Sequence, residues 1–283
     1  MKRASFFVLF ISLIGCSCAS EQRATFHSSA RSPAVESKAP KNSAQVIHVF
    51  VALCDNVNQG IVPVAPTLGN GDDPQRNLYW GAAFGVKTFF DRNTDWQPVA
   101  INSSSSKSSS VVLDRVAYKY RKANAFLVAE AYRGLYIRQA TEDFLAAASG
   151  TPGESLAVSV NGIQTELQLG GSSDLIAYAG HDGLMDFQLT SVPKKRDDQQ
   201  RAAIILACAS KSYFADALRT TGAKPLLWTT NLMAPEAYIL SAAVDGWLNH
   251  ETDEQIRMRA AKAYDRYQHC GMKSANTLFA TGW

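Results

Sequence analysis

Paired histidines, a marked charge excess and a long apolar run are all missing from these 283 residues, and each absence removes a class of function. The five histidines stand apart, so no metal-ligand spacing forms and no metal is assigned. A formal charge of +3, from 28 basic and 25 acidic residues, is too small for a surface that tracks nucleic acid. The N-terminal apolar stretch, Phe6 to Ile14, is too short for a comfortable membrane span. No internal repeat is visible, and no cofactor is assigned. What is present, 46% hydrophobic and 19% charged residues, is ordinary for a folded chain with one large α/β domain or two small ones.

The N-terminus carries a signal. "MKRASFFVLFISLIGCSCAS" begins with Lys2 and Arg3, continues through a short apolar stretch and reaches Cys16 directly after Gly15. That is a secretory signal pattern. "LIGC" resembles the lipobox of bacterial lipoproteins. The resemblance implies that residues 1–15 are removed and that Cys16 becomes the lipidated first residue, a membrane anchor of several acyl chains. Removal takes away Lys2 and Arg3 and no acid, so +3 falls to +1 and no polybasic pull on the membrane remains. Ser17 after the lipid cysteine implies the outer membrane, facing the periplasm, in a Gram-negative cell. The alternative is a plain signal peptide cut after Ser20. Residues 16–44, rich in Ser, Ala, Pro and charge, read as a disordered tether.

From residue 45 to residue 283 the pattern is that of an α/β domain. "QVIHVFVALCDN" (45–56) is an apolar, β-branched run: a buried strand. A Gly/Asn/Asp loop through "GNGDDPQ" follows, a turn rich in solvated acids whose spacing fits no calcium loop. Helical spacing marks 77–92, a short strand 96–103, and "SSSSKSSS" (103–110) is a solvated loop. Residues 111–121 fit a strand or a helix start. Residues 123–148, free of proline and rich in Ala, Leu and Glu, predict a long helix stopped by "SGTPG". Alternation around Asn161-Gly162 predicts a β-hairpin over 156–169. Apolar strands at "DLIAYAG" and "RAAIILAC", a third at 224–231, and helices near 235–249 and 251–268 complete the pattern. The expectation is an α/β fold: a largely parallel sheet sandwiched by helices, with an inserted β-hairpin.

Ligands of such sheets bind beyond the carboxyl ends of the strands. His181 and Cys208 each follow an apolar run, and the segment between them exceeds the dozen residues a parallel crossover requires. An apolar block ending in His and Gly ("LIAYAGHDG"), then one ending in Ala-Cys ("AIILACAS"), resembles the caspase-hemoglobinase fold of clan CD cysteine peptidases. "LLWTTNLMAPEAYIL" resembles the strand and helix that follow the nucleophile in bacterial members. The resemblance implies a caspase-like domain from about Val46 to the helices after Pro235, with Cys208 as nucleophile and His181 as acid/base. It further implies that the N–H groups of Gly183 and Cys208 bind the oxyanion, with no carboxylate partner to the histidine. The expected substrate is a peptide or protein.

Asp55 and Asn56, after the first strand, are expected to line the substrate cleft, Asp55 favouring a basic side chain. Asp182, between His181 and Gly183, is expected to act as an anion that raises the imidazole pKa and narrows substrate choice. Cys54 reads as core. His269 and Cys270 read as structural, with Gly271 as a helix stop. A disulfide such as Cys54–Cys270 is compatible with export, while Cys208 must stay free. Two other functions remain open: a non-catalytic caspase-fold module binding a peptide or envelope partner, and a small-ligand-binding lipoprotein with an accidental dyad.

Overall fold

The apolar run that begins the domain forms β1 (Gln45–Ala52), buried on both faces in the middle of a sheet. The computed structural model describes residues 44–102 and 109–283. The signal peptide, the lipid anchor at Cys16 and nearly all of the tether and serine loop lie outside them. No helix among the described residues is long and apolar enough to cross a membrane.

After β1 the chain makes a long loop, then α1 (Val86–Arg92), β2 (Trp96–Ile101), β3 (Val112–Tyr120) and β4 (Ala125–Tyr132). There follow α2 (Ile137–Ser149), the hairpin β5 (Pro152–Val160) and β6 (Ile163–Gly170), then β7 (Leu175–Ala179) and β8 (Ala202–Leu206). The remainder is α3 (Ser210–Thr221), β9 (Lys224–Thr229), α4 (Ala237–Leu248), α5 (Asp253–Gln268), α6 (Met272–Leu278) and the short β10 (Phe279–Ala280). One ten-stranded sheet runs β10-β9-β8-β7-β1-β4-β3-β2-β5-β6.

The sheet is mixed rather than largely parallel. β4, β1, β7, β8 and β9 are parallel neighbours, whereas β2, β3, β5, β6 and β10 add antiparallel pairs. The reason lies in one misread segment. Residues 123–148 are not one helix but β4 and α2, separated at Arg133-Gly134. "AFLVAEAY" has good helix formers, but all eight residues are buried between β1 and β3, and tertiary context overrides propensity. Glu130, inside the segment expected to be helical, is a strand residue buried against His48 at 3.0 Å and Arg115 at 2.8 Å. The helix expected over 77–92 occupies only its last seven residues, and 111–121 resolves as a strand.

Both faces of the sheet are covered. Ile47, Val49 and Val51 of β1 pack with residues of α1, α4, α5 and α6. Phe50 and Ala52, on the opposite face, pack with Phe144 of α2 and Phe214 of α3. The hairpin turns at Asn161 (φ 51°) and Gly162 (φ 81°), as Asn-Gly predicts. Its Leu156, Val158, Leu167 and Leu169 close a third cluster over Val46, Phe126 and Val128. A capping box, Thr252 with Gln255, starts α5.

Candidate active site

In the parallel half, β1 continues to β4 on one side and to β7 on the other, so the strand order reverses there. The crevice outside the carboxyl ends at such a point is where doubly wound sheets bind ligands. The register sharpens this. Ala179, the last residue of β7, faces Leu206, the last of β8. His181 and Cys208 therefore each lie two residues beyond a directly opposed pair, on strands about 4.8 Å apart.

Gly180 carries the chain out of β7 with φ 152°, and a Cβ there would lie 2.8 Å from the Ala52 carbonyl. Only glycine fits this turn without strain. His181 is buried, and its carbonyl accepts the Tyr178 hydroxyl at 2.8 Å. Its Nε2 lies 2.8 Å from Asp186 Oδ2, an oxygen that also accepts the Gly60 N–H at 2.9 Å. A carboxylate only accepts, so Nε2 carries a proton, and in the neutral ring Nδ1 has the lone pair. Asp186 is a partner that sequence reasoning missed. The signal was its place in "HDGLMDF", where the 3-10 turn Gly183–Met185 curls the chain back onto the ring.

Cys208 follows β8 in a three-residue turn into α3. Ser210 anchors the turn through Oγ to the Ile205 carbonyl at 2.9 Å, and its N–H reaches Thr229 Oγ1 at 3.2 Å. Ala209 pays for the sharpness with a left-handed backbone, φ 48° and ψ 30°, at a cost of about 1–2 kcal/mol for a residue with a Cβ. Strain of this kind collects at functional turns. The half-buried Cys208 thiol sits against Met233, accepting its N–H at 3.4 Å and facing its carbonyl at 3.6 Å. Burial pushes the thiol pKa up, opposed by the Met233 backbone and reinforced by Asp182.

The two residues thus end neighbouring strands at one sheet edge. Among the described residues no hydrogen bond joins His181 to Cys208: the ring turns its Nε2 to Asp186, and the thiol turns to Met233. Neither the Gly183 N–H nor the Cys208 N–H has a hydrogen-bond acceptor among the described residues. A Cβ at Gly183 would press on the Phe187 ring at 2.6 Å and Ile137 at 3.2 Å, so the turn beside the histidine is tightly packed.

The acids divide by use. Asp182 is fully buried; its Oδ1 accepts the Leu184 N–H at 3.0 Å, and its Oδ2 has no partner. Burial, with Asp186 nearby, pushes its carboxyl up to about 7, so the anion expected beside His181 is half neutralised at neutral pH. Asp55 is buried and organises its own loop, accepting the Val57 and Asn58 N–H groups at 2.9 and 3.1 Å and the Asn58 side chain at 2.8 Å. The Asn56 side chain clamps Val64 through both its N–H and its carbonyl. Cys54 is core, its thiol pushed up to about 11 chiefly by burial. Cys54, Cys208 and Cys270 are all free, so no Cys54–Cys270 disulfide forms between the buried thiol and the exposed one.

No protein-family model, curated protein or solved structure matches the chain.

Proposed function

We propose that the chain is a cysteine endopeptidase of the caspase-hemoglobinase kind, held outside the cytoplasm by a lipid on Cys16. One observation carries the reading: the Ala179–Leu206 register, which delivers an imidazole and a thiol to the same sheet edge. The caspase-like assignment and the anchor rest on the sequence blocks "LIAYAGHDG", "AIILACAS" and "LIGC".

The chemistry then runs as acyl transfer. The Cys208 proton passes to His181 Nδ1 as the sulfur attacks the peptide carbonyl carbon. The carbonyl oxygen becomes an oxyanion beside the unpaired N–H groups of Gly183 and Cys208. The C–N bond breaks as the imidazolium returns its proton to the departing amine. Water, deprotonated by the same nitrogen, then releases the acyl group and restores the thiol. Asp186 is a positioning residue: it holds the ring by Nε2 and keeps Nδ1 free. For attack, the thiol must leave the Met233 backbone, so substrate binding and movement of the 230–235 loop belong to one step.

A second reading is favoured by the raised Cys208 pKa: a caspase-fold module that binds peptides without cutting them. Mass spectrometry of a proteome-derived peptide library incubated with the protein separates the two. Cleavage that disappears in Cys208→Ala and His181→Ala, by orders of magnitude and without unfolding, supports the peptidase. Absence of cleavage, together with no labelling of Cys208 by a peptidyl electrophile, refutes it and leaves the binding module.

A further inference from the structure

We infer that the candidate site takes an extended peptide segment with aliphatic side chains, gripped by apolar residues on the loops around the dyad. Its location rests on the peptidase reading; the choice of substrate class rests on separate observations. Among the described residues nine large hydrophobic side chains are exposed. Isolated exposed apolar residues are normal in any fold. Here five of the nine, Val57, Val62, Leu135, Met185 and Leu232, leave the carboxyl ends of the parallel strands. Val57 and Val62 follow β1, Leu135 follows β4, Met185 follows β7 and Leu232 follows β9. Exposures of 87%, 88% and 68% for Val57, Val62 and Leu232 mean that little among the described residues covers these side chains.

Hydrogen bonds tie the same loops to the dyad. Val62 lies two residues from Gly60, whose N–H shares Asp186 with His181. Met185 is next to Asp186. Leu232 is next to Met233, whose backbone holds the Cys208 sulfur. Leu135 is next to Gly134, whose carbonyl takes the Gln59 amide at 3.1 Å while the same amide holds the Leu53 carbonyl at 2.8 Å. The loops after β1, β4 and β7 are thereby tied to one another, and the loop after β9 is tied to Cys208; each carries an exposed aliphatic side chain.

The acids around this rim are either buried or paired. Asp55 is buried in its own turn, Asp72 pairs with Arg133 at 3.1 Å, and Asp186 is held by His181 and Gly60. Asp182 is buried with one oxygen bonded to Leu184. A basic substrate side chain would find Asp72 and Asp186 already paired and Asp55 and Asp182 buried, whereas an aliphatic one finds uncovered apolar surface. Burial of that surface is what binding gains.

The test uses the full chain in detergent and two acetylated decapeptide pools that differ only at degenerate positions. One pool carries Leu, Val and Met there; the other carries Asp, Glu, Lys and Arg. Binding is read by fluorescence anisotropy on Cys208→Ala protein, and cleavage by mass spectrometry on the wild type. The expected result is at least about tenfold tighter binding of the aliphatic pool. Leu232→Asp and Met185→Asp should each remove most of that preference while circular dichroism and Tm stay unchanged, because both side chains are exposed. Equal or better binding of the charged pool, or variants that leave the preference intact, overturns the inference. Loss of binding to phosphatidylglycerol vesicles in the two variants, with peptide binding unaltered, overturns it in favour of a lipid contact. Aliphatic peptides bound but never cut would sink the peptidase and leave this inference standing. Charged peptides cut best would do the reverse.

Discussion

Asp182→Asn is expected to stabilise the fold, and to do so only above about pH 4. The carboxyl is fully buried with Oδ2 unpartnered, and burial pushes its pKa up to about 7. In the unfolded chain an aspartate ionises near about 3.9. A raised carboxyl pKa contributes stability that is complete below the unfolded value and lost as pH rises toward the folded one. Between those two values each pH step costs about 1.4 kcal/mol, or about 4 kcal/mol in all by neutral pH and above. Asparagine keeps the oxygen that accepts the Leu184 N–H and never ionises. The variant should therefore match wild type near pH 4 and exceed it by about 4 kcal/mol at pH 8. Urea unfolding at a series of pH values, with m-values compared to confirm two-state behaviour, reads this directly. A stability difference that is the same at pH 4 and pH 8 would refute the reasoning, since it would have nothing to do with ionisation.

Ala209→Gly should stabilise the fold by about 1 kcal/mol in the same assay, because the left-handed backbone after Cys208 no longer opposes a Cβ. No gain would mean that the turn is relaxed. Glu130→Gln should cost about 1–3 kcal/mol, since the buried carboxylate contacts to His48 and Arg115 become neutral ones while Arg115 keeps Glu154. Although burial opposes its ionisation, His48 and Arg115 hold the Glu130 carboxyl down to about 2. Its contribution is thus present above the unfolded carboxylate pKa and should fade in acid as pH falls toward about 2. Iodoacetamide at pH 7 should modify exposed Cys270 first, Cys208 more slowly than a free thiol, and Cys54 only after unfolding. Fast alkylation of Cys208 in the absence of substrate would contradict the burial that raises its pKa.

Four of the five parallel strands were legible because they are short apolar runs that end in glycine or polar residues. β1, β7, β8 and β9, the Asn161-Gly162 hairpin and the two helices after Pro235 follow directly from such patterns. β4 was not legible. A strand buried on both faces has no period of two, and its one charged residue is satisfied by His48, 82 positions away, and by Arg115 on β3. No local rule reports a partner at that distance. In the site, the positions of His181 and Cys208 were readable as strand ends. Their present partners were not: Asp186 reaches the ring through a one-turn 3-10 helix, and Met233 reaches the thiol from the far end of β9. Asp55 has a loop-building role that its sequence position did not reveal, because the amides it binds lie in a segment without regular structure.

The hairpin that follows α2 gives the molecule an unevenly guarded interior. Among the described residues β5 joins β2 through two facing pairs, Ala100–Ser159 and Ile101–Val158, and through the Asn102 N–H, which donates to the Ala157 carbonyl at 3.0 Å. From there the ribbon returns across β1, where the Gly170 N–H meets His48 Nδ1 at 3.1 Å. The buried His48–Glu130 pair lines a cavity of about 220 Å³ whose walls include Gly153, Glu154, Leu169 and Gly170 of that ribbon. The hairpin thus forms one wall over the most polar part of the core, away from β7, β8 and the candidate catalytic edge. In hydrogen exchange the amides of β5 and β6 would open as a separate, weaker unit than those of β1, β7 and β8.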